Sequence, residues 1–553
     1  AKDTDLTGGG TLMAGNNVSF QAKGDVTNSG SIASRRVTVV TGDNIVNTGT
    51  LAGKTLLAQA AQDINNLGGH IQGDQVLLSA GRDVNLTSTS TSTANATTLG
   101  TNISQVASVA AGTLSIQAGR DANLTAAAIN TTGDATITAK RDVNLNALRQ
   151  SSEEHINWGN QNRSDRSSYA DTGTQIQSGG KLAIGAGQDV NATAAYANAT
   201  GSIQVVAGRD VHLNAGQSHQ DVRDEHFQKE TGFMSSKTTH TIDSVSRTDA
   251  AGTTLSGDTV AVQAGRNLTV AGSTVASTNG TSLAAGNDLT VTTTQTSSSE
   301  SHYREEKKSG FGATGNGLSY GNKQQTDIAN DNANTYAGSL IGSTNGNVTL
   351  KAGGDLHLTG SQAVAGGDLT AIGRNVTIDA AAGTTHHDET HITKGSGFTL
   401  GLSGGAAGLM QAASSQMQDT ADAKDARASV LNGMAMGRSL YDAGNALGGK
   451  KPMDEVSVTL SWGTSQSKST STEDATRNQG STLMAGGKAT LIATGAKDAN
   501  GNPVAGTGNL TIAGSGVSAK DVVLGAANAV NLVASQDTDK TRSENSSSSA
   551  SVG

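Results

Sequence analysis

The sequence predicts an all-β chain: a right-handed parallel β-helix, or solenoid, of ~20-residue coils with protruding β-hairpin arms and one small helical insert. Three observations carry this reading. One phrase keeps returning, as AGRDVNL at Ala80–Leu86, AGRDANL at Ala118–Leu124, AKRDVNL at Ala139–Leu145, AGRDVHL at Ala207–Leu213 and AGNDLTV at Ala285–Val291. The 553 residues include 71 Gly but only 2 Trp, 6 Tyr and 5 Phe, with two prolines and no cysteine. Each buried aromatic removes ~150–250 Å² from water, so these few cannot centre the roughly three or four compact cores that the length would otherwise imply. Finally, longer segments interrupt the repeat, and they hold 11 of the 13 aromatics.

The coils are read from spacing. Copies of the phrase lie 21 residues apart at Ala118 and Ala139, Ala186 and Ala207, and Ala264 and Ala285; a companion phrase starting at Asn28, Asn47 and Asn66 recurs every 19. Each copy is a Gly/Asp or Gly/Asn corner followed by alternation such as Val84, Leu86 or Leu289, Val291, the pattern of a strand with one buried face. Such a period suits one turn of a solenoid whose strands pair with the coils above and below, ~4.8 Å away. The interior becomes a stack of Val, Leu, Ile and Ala, and Asn28, Asn47 and Asn66 are placed to form an amide ladder. Collagen is excluded because Gly has no period of three and Pro is nearly absent. A leucine-rich repeat shares the length but not the frame, and the tandem G-G-x-G-x-D units of calcium-binding solenoids do not occur.

Residues 1–86 read as uninterrupted stalk coils and 87–553 as armed coils, with excursions at 149–174, 216–251, 294–343 and 380–480. The excursions open on Ser, Thr and charge, as in SSEEHINW from Ser151 or SSSESHYREEKKSGF from Ser297. Three reach a small-Gly-Phe step at Phe233, Phe311 and Phe398. Alternation follows, as in Phe398, Leu400, Leu402 or Val456, Val458, Leu460, Trp462. These segments are expected to be hairpins that leave the solenoid and return. The residues from Ser535 read as the start of a further arm, so the chain is expected to be part of a longer protein. The last excursion carries the helical insert, 405–449, where Met410, Ala413, Met417 and Ala421, then Val430, Met434 and Tyr441, fall at helical spacing. Gly433 and Gly437 weaken the pattern, so a broken helix or helical hairpin is expected. It either packs on the solenoid flank or, being rich in adaptable Met, meets a membrane or partner.

No catalytic set emerges. The repeated Arg-Asp pairs, Arg82–Asp83, Arg120–Asp121, Arg141–Asp142 and Arg209–Asp210, read as corner chemistry, Asp bonding to nearby backbone and Arg lying along the outer surface. Their even spacing does not make the clustered groove a sugar lyase needs. The segment His386, His387, Asp388, Glu389, Thr390, His391 fails the zinc-protease pattern, because Asp follows His387 and an extended arm does not make i and i+4 neighbours. Solvated polar residues are the simpler reading, with a surface zinc site and acid sensitivity of the arm histidines as alternatives. There is no G-x-S-x-G, P-loop or Cys/His set, so neither enzyme activity nor a cofactor is expected. Net charge is −9 with pI ≈ 5.7, which excludes a strongly basic footprint for nucleic acid. No apolar run approaches the ~20 residues of a membrane helix. Zero cysteine rules out disulfides and suits a chain kept unfolded during export.

The AGRDVNL coils, their Asn-initiated companions and the arms with SGF or TGF steps resemble the haemagglutinin repeats of the filamentous-haemagglutinin family. These exoproteins of two-partner secretion include the contact-dependent growth-inhibition effectors. The resemblance covers nearly the whole chain; coils through Leu86 resemble the uninterrupted repeat and those from Thr87 the armed repeat class. It implies a secreted, surface-displayed rod exported through an outer-membrane β-barrel partner, with a toxin at a distant C-terminus and the armed repeats acting at the target cell's outer membrane. No Val-Glu-Asn-Asn pretoxin motif or toxin domain is present here. The function expected is a delivery segment contacting that membrane; the alternative is an adhesin stalk that binds surface glycans or receptors. Candidate contact residues are Trp158, Phe233, Phe311, Tyr320, Phe398, Leu400, Met410, Met417, Met434, Tyr441 and Trp462.

Overall fold

Short strands follow from the repeat itself. In Val84–Thr87, Val143–Asn146 and Val211–Asn214 the first and third residues are buried and the second faces out. The structure, a computed structural model, describes residues 4–6, 10–232, 235–314, 317–402 and 458–550. Fifteen of the short strands stack into one parallel sheet from Thr4–Leu6 to Ala529–Val533. Register is maintained coil by coil: Val143 lies opposite Val190, then Val211, Leu268, Leu289 and Leu356. Two more columns close each coil, one through Ile137, Ile184, Val205 and Val262 and one through Ile129, Ile176, Ala197 and Leu255. One large apolar cluster runs inside from Val18 to Ile512, with a small second one of Ala276, Leu340 and Val364. The expected parallel β-solenoid with hairpin arms is thus the observed fold. The described residues contain no helix; the helical insert expected over 405–449 lies outside them.

Polar ladders lock the register. The amide of buried Asn28 donates to Asn47 Oδ1 at 2.7 Å, Asn47 to Asn66 Oδ1 at 2.6 Å, and Asn66 to the carbonyl of Gly69 at 2.8 Å. At the corners each Arg reaches back to the Asp of the preceding coil. Nε of Arg82, Arg120, Arg141, Arg209, Arg266 and Arg374 lies 2.7–2.9 Å from Asp63, Asp83, Asp121, Asp189, Asp210 and Asp355. The same carboxylates accept the backbone N–H of the next corner, as Asp63 does from Asp83 at 3.1 Å and Asp210 from Asn267 at 3.0 Å. The corner reading of the Arg-Asp pairs therefore gains a partner: the shorter pair joins two coils, while Arg120–Asp121, Arg141–Asp142 and Arg209–Asp210 stay within 3.1–3.9 Å as well. The Arg266 hydrogen bond outweighs burial and lowers the Asp210 carboxyl to about 2. Its contribution to stability is present above the ordinary carboxylate range and is lost only as pH falls through that value. Pairs with so exposed a guanidinium add little to stability, so their main effect is to fix which coil residue meets which.

The exits from the fifteen-stranded sheet alternate. After Ala122–Thr125, Val190–Thr193, Leu268–Ala271, Leu356–Thr359 and Asn509–Ala513 the chain turns at once through one left-handed residue: Ala126 (φ 48), Ala194 (φ 52), Gly272 (φ 56), Gly360 (φ 53) and Gly514 (φ 57). After the strands between them it departs into an arm. Re-entry is marked by a buried hydroxyl. Ser273 N–H donates to Ser339 Oγ, Ser339 to Ser361 and Ser361 to Ser481, at 3.0–3.2 Å. Two boundaries differ from the sequence reading. A hairpin, Thr89–Ala94 with Thr98–Gln105, stands where coil was expected, and the excursion carried to Ser343 ends earlier, because Leu340–Ser343 pairs within the solenoid.

Changing Asn47 to Ala removes the partner of one Asn28 N–H and of Asn66 Oδ1 in the core, a loss of about 2–6 kcal/mol at ~1–3 kcal/mol per orphaned group. Since each coil touches only its neighbours, hydrogen exchange is expected to accelerate around Val26–Gly69 and stay unchanged beyond Ala118. A single cooperative collapse of the whole chain would contradict this picture.

Candidate functional site: the arm sheet

Strand spacing decides what the arms can do together. A hairpin is two strands wide, and two coils advance the solenoid by two strand spacings of ~4.8 Å. Arms that leave every second coil therefore arrive edge to edge. They form an 11-stranded antiparallel sheet beside the solenoid. After the first arm described above come Leu148–Gly159 with Asn162–Thr172, Gly216–Gly232 with Ser235–Ala251, Thr294–Thr314 with Gly317–Ala337, and Ala381–Leu402 with Val458–Gln479. The last strand is Thr538–Ala550. Neighbouring arms pair over Arg163–Ala170 with Ser218–Glu225, Ser235–Thr248 with Ser297–Gly310, and Asn322–Asn334 with Thr384–Ser396. Strand length grows from 6 residues in the first arm to 22 in the fifth, so the fifth reaches roughly 75 Å at ~3.4 Å per residue.

The aromatics divide into two groups. Tyr169 of the second arm stacks on His219 of the third at 5.2 Å, with Arg149 over its ring at 4.0 Å. Phe227 meets His240 at 6.0 Å, and His240 meets Tyr303 of the fourth arm at 5.7 Å. Tyr169–His219 and His240–Tyr303 staple arm to arm, a role no local pattern assigns because it depends on which arms are neighbours. Trp158 belongs to both groups: it sits beside its hairpin turn, 62% exposed, and stacks at 6.3 Å on His226 of the third arm. Backbone pairing sets Phe311 opposite Tyr320 in the fourth arm, and in the fifth Phe398 opposite Trp462, Leu400 opposite Leu460 and Leu402 opposite Val458. The candidates are thus brought together pairwise at the far ends of separate arms and do not form one pocket. Phe233, Met410, Met417, Met434 and Tyr441 lie outside the described residues.

Histidines pair with carboxylates throughout the sheet. His155 Nδ1 is 3.0 Å from Asp165, His240 Nε2 2.9 Å from Glu225, His302 Nδ1 2.8 Å from Asp243 and His391 Nδ1 2.9 Å from Asp327. Alternation splits the His386–His391 segment between the two faces: His386 meets Asp474 at 2.6 Å, whereas His387 and His391 turn to Asp331 and Asp327. Among the described residues no cluster of three His, Asp or Glu is arranged for a metal ion. A shallow cleft of about 230 Å³ on one face is lined by Asp243, His302, Arg304, Asp327, Glu389 and His391. Both faces of the described arms are dominated by Ser, Thr, Asn and charged side chains, so the sheet offers hydrogen bonds rather than an apolar wall.

The family described as hemagglutinin repeat matches residues 88–160, 156–234, 231–389 and 462–553. The chain is 35% identical over 393 residues to the 16S rRNA endonuclease CdiA of Enterobacter cloacae, an alignment covering 69% of this chain and 12% of that protein. It is 33% identical over 634 residues to a tRNA nuclease CdiA of Escherichia coli, covering 100% of this chain and 19% of the relative. A deoxyribonuclease CdiA of Dickeya dadantii is 30% identical over 408 residues, 72% of this chain and 12% of that protein. The chain spans only a minor part of the length of these relatives. No solved structure matches.

Replacing Leu148–Thr172 with a two-residue corner like Ala126–Ala127 is expected to leave the solenoid folded and to open a two-strand gap in the arm sheet. Limited proteolysis should then cut the arm Gly216–Ala251, which is expected to resist in the parent, while coil peptides stay uncut. Equal protection of that arm in both proteins would show that the arms do not support one another.

Proposed function

The chain belongs to the hemagglutinin-repeat family, and on that premise we propose that it is a non-enzymatic rod segment of a secreted two-partner-secretion exoprotein. Its arms contact the outer membrane of a target cell while a toxin borne elsewhere in the parent is delivered. Export uses an outer-membrane β-barrel partner, and the rod is displayed at the surface of a Gram-negative cell. One observation supports the non-enzymatic part: relatives named for three different nucleic-acid targets share this segment, and it makes up a small share of each. A region common to different nucleases is better suited to the step they have in common than to the chemistry in which they differ.

The arms support contact because they carry nearly all the aromatics and hold them away from the solenoid. The paired residues Phe398 with Trp462, Leu400 with Leu460 and Leu402 with Val458 place apolar sequence at the far end of the longest described arm. Aromatic residues favour interfaces with one wet and one apolar side. The polar faces of the rest of the sheet suit a surface interaction, since a strand crossing lipid needs a continuous apolar face. The same polar faces favour the alternative reading, an adhesin stalk that takes a glycan or receptor through hydrogen bonds.

The purified segment is expected to float with outer-membrane vesicles in a density gradient, and deletion of Ala380–Gly480 should reduce the floating fraction severalfold. Absence of flotation, together with tight binding on a glycan array, would replace membrane contact with adhesion.

A further inference from the structure

The seams between arms are not chemically alike. Between the second and third arms Arg163 Nε lies 3.0 Å from Glu225. Between the third and fourth, Lys237 lies 3.5 Å from Glu306 beside the His302–Asp243 pair. Between the fifth arm and the last strand Arg477 lies 3.0 Å from Asp539. The seam between the fourth and fifth arms is different: among the described residues its only ion pairs are His387 with Asp331 at 2.5 Å and His391 with Asp327 at 2.9 Å.

We propose that this seam is a proton-operated latch, in which the charged imidazole of His391, set between Asp327 and Glu389, holds the longest arm in the sheet and its deprotonation releases it, His387 adding its bond to Asp331. The rows of the sheet explain why so much depends on these rings. Register sets Glu300, Asp331, His387 and Glu473 side by side across the fourth and fifth arms. One imidazole ring therefore stands among three carboxylates, and like charges left opposite one another on a sheet repel. The adjoining rows are Arg304, Asp327, His391 and Ser469, then His302, Ala329, Glu389 and Ser471. Arg304 faces Asp327 from within the fourth arm and does not bridge the seam. Glu389 lies 2.7 Å from His391 Nε2 on the same strand. From the third arm, Asp243 lines the same cleft as His391 and bonds to His302 rather than to His391.

Burial of the His391 ring opposes its charge, but the bonds and charges of Asp327 and Glu389 prevail and its pKa lies above the ordinary imidazole value. A group raised in the folded state lends its full stabilisation below the unfolded value and loses it as pH rises through the folded one. The latch is therefore closed in mildly acidic solution and opens upward. The Arg-Asp ladder of the solenoid does not titrate in that range, so the arm moves while the rod stays intact.

Hydrogen exchange at about pH 5.5 and about pH 8.5, corrected for intrinsic rates, tests this. Protection of amides bonded between Asn322–Asn334 and Thr384–Ser396 should fall on the order of tenfold at the higher pH. The Arg163–Glu225 seam, Arg163–Ala170 with Ser218–Glu225, should not change. In His387→Gln/His391→Gln protection should be low at both pH values; in His387→Arg/His391→Arg it should be high at both. Equal protection of the parent seam at both pH values, equal loss in the two seams, or a pH response that survives in either double variant would overturn the latch.

Discussion

The distance between hydrogen-bonded β-strands, ~4.8 Å, is the constraint on which this structure rests, because it is met twice along one axis. In the solenoid it is the rise of a coil. In the arm sheet it is half the width of a hairpin. The two lattices stay in step only if one hairpin leaves for every two coils, and the alternation of arms with left-handed corners at Ala126, Ala194, Gly272, Gly360 and Gly514 keeps that count. The residues that build the coil thus also decide that the arms become a sheet. Neither lattice needs large side chains: the solenoid core is Val, Leu, Ile and Ala, and the arms are held by backbone pairing supplemented by a few rings and ion pairs.

Charge is used differently in the two lattices. Along the solenoid, guanidinium and carboxylate meet at every armed or unarmed corner that carries the Arg-Asp phrase, and such pairs are insensitive to pH over the range a cell surface meets. In the arms imidazole replaces guanidinium at most of the equivalent jobs. The rod is thus held by guanidinium–carboxylate pairs, and the sheet beside it largely by imidazole–carboxylate pairs. The single-layer character of the sheet adds to this contrast, since it has no apolar core of its own to override a change in charge.

Much of the solenoid was legible in the sequence because its signals are local and repeated. The 19-residue spacing of Asn28, Asn47 and Asn66 and the alternation after each Gly/Asp corner translate directly into the buried amide ladder and the inward Val and Leu columns. The arms were legible as departures from that period. The first arm escaped notice because TSTSTANATT has neither the charge nor the aromatics of the others; its trace is the doubled interval from Ala80 to Ala118. Ser339 reads as part of an arm in sequence because a re-entering hydroxyl resembles any arm serine, and only its bonds to the neighbouring coil place it in the solenoid. Contacts between arms, Tyr169 with His219 or His391 with Asp327, were not legible at all. Residues far apart in sequence meet there only because the coils between them set the spacing, which no local pattern records.

The alternating corners bear on how such a chain can change over generations. Gain or loss of a single coil would reverse the order of plain corners and arms beyond that point and leave one strand-width unfilled in the sheet. Gain or loss of two coils together with their one hairpin restores every pairing. The heritable unit of length is therefore even: duplications and deletions that survive should come in whole pairs, and the rod can lengthen by many such steps without any arm losing its neighbour.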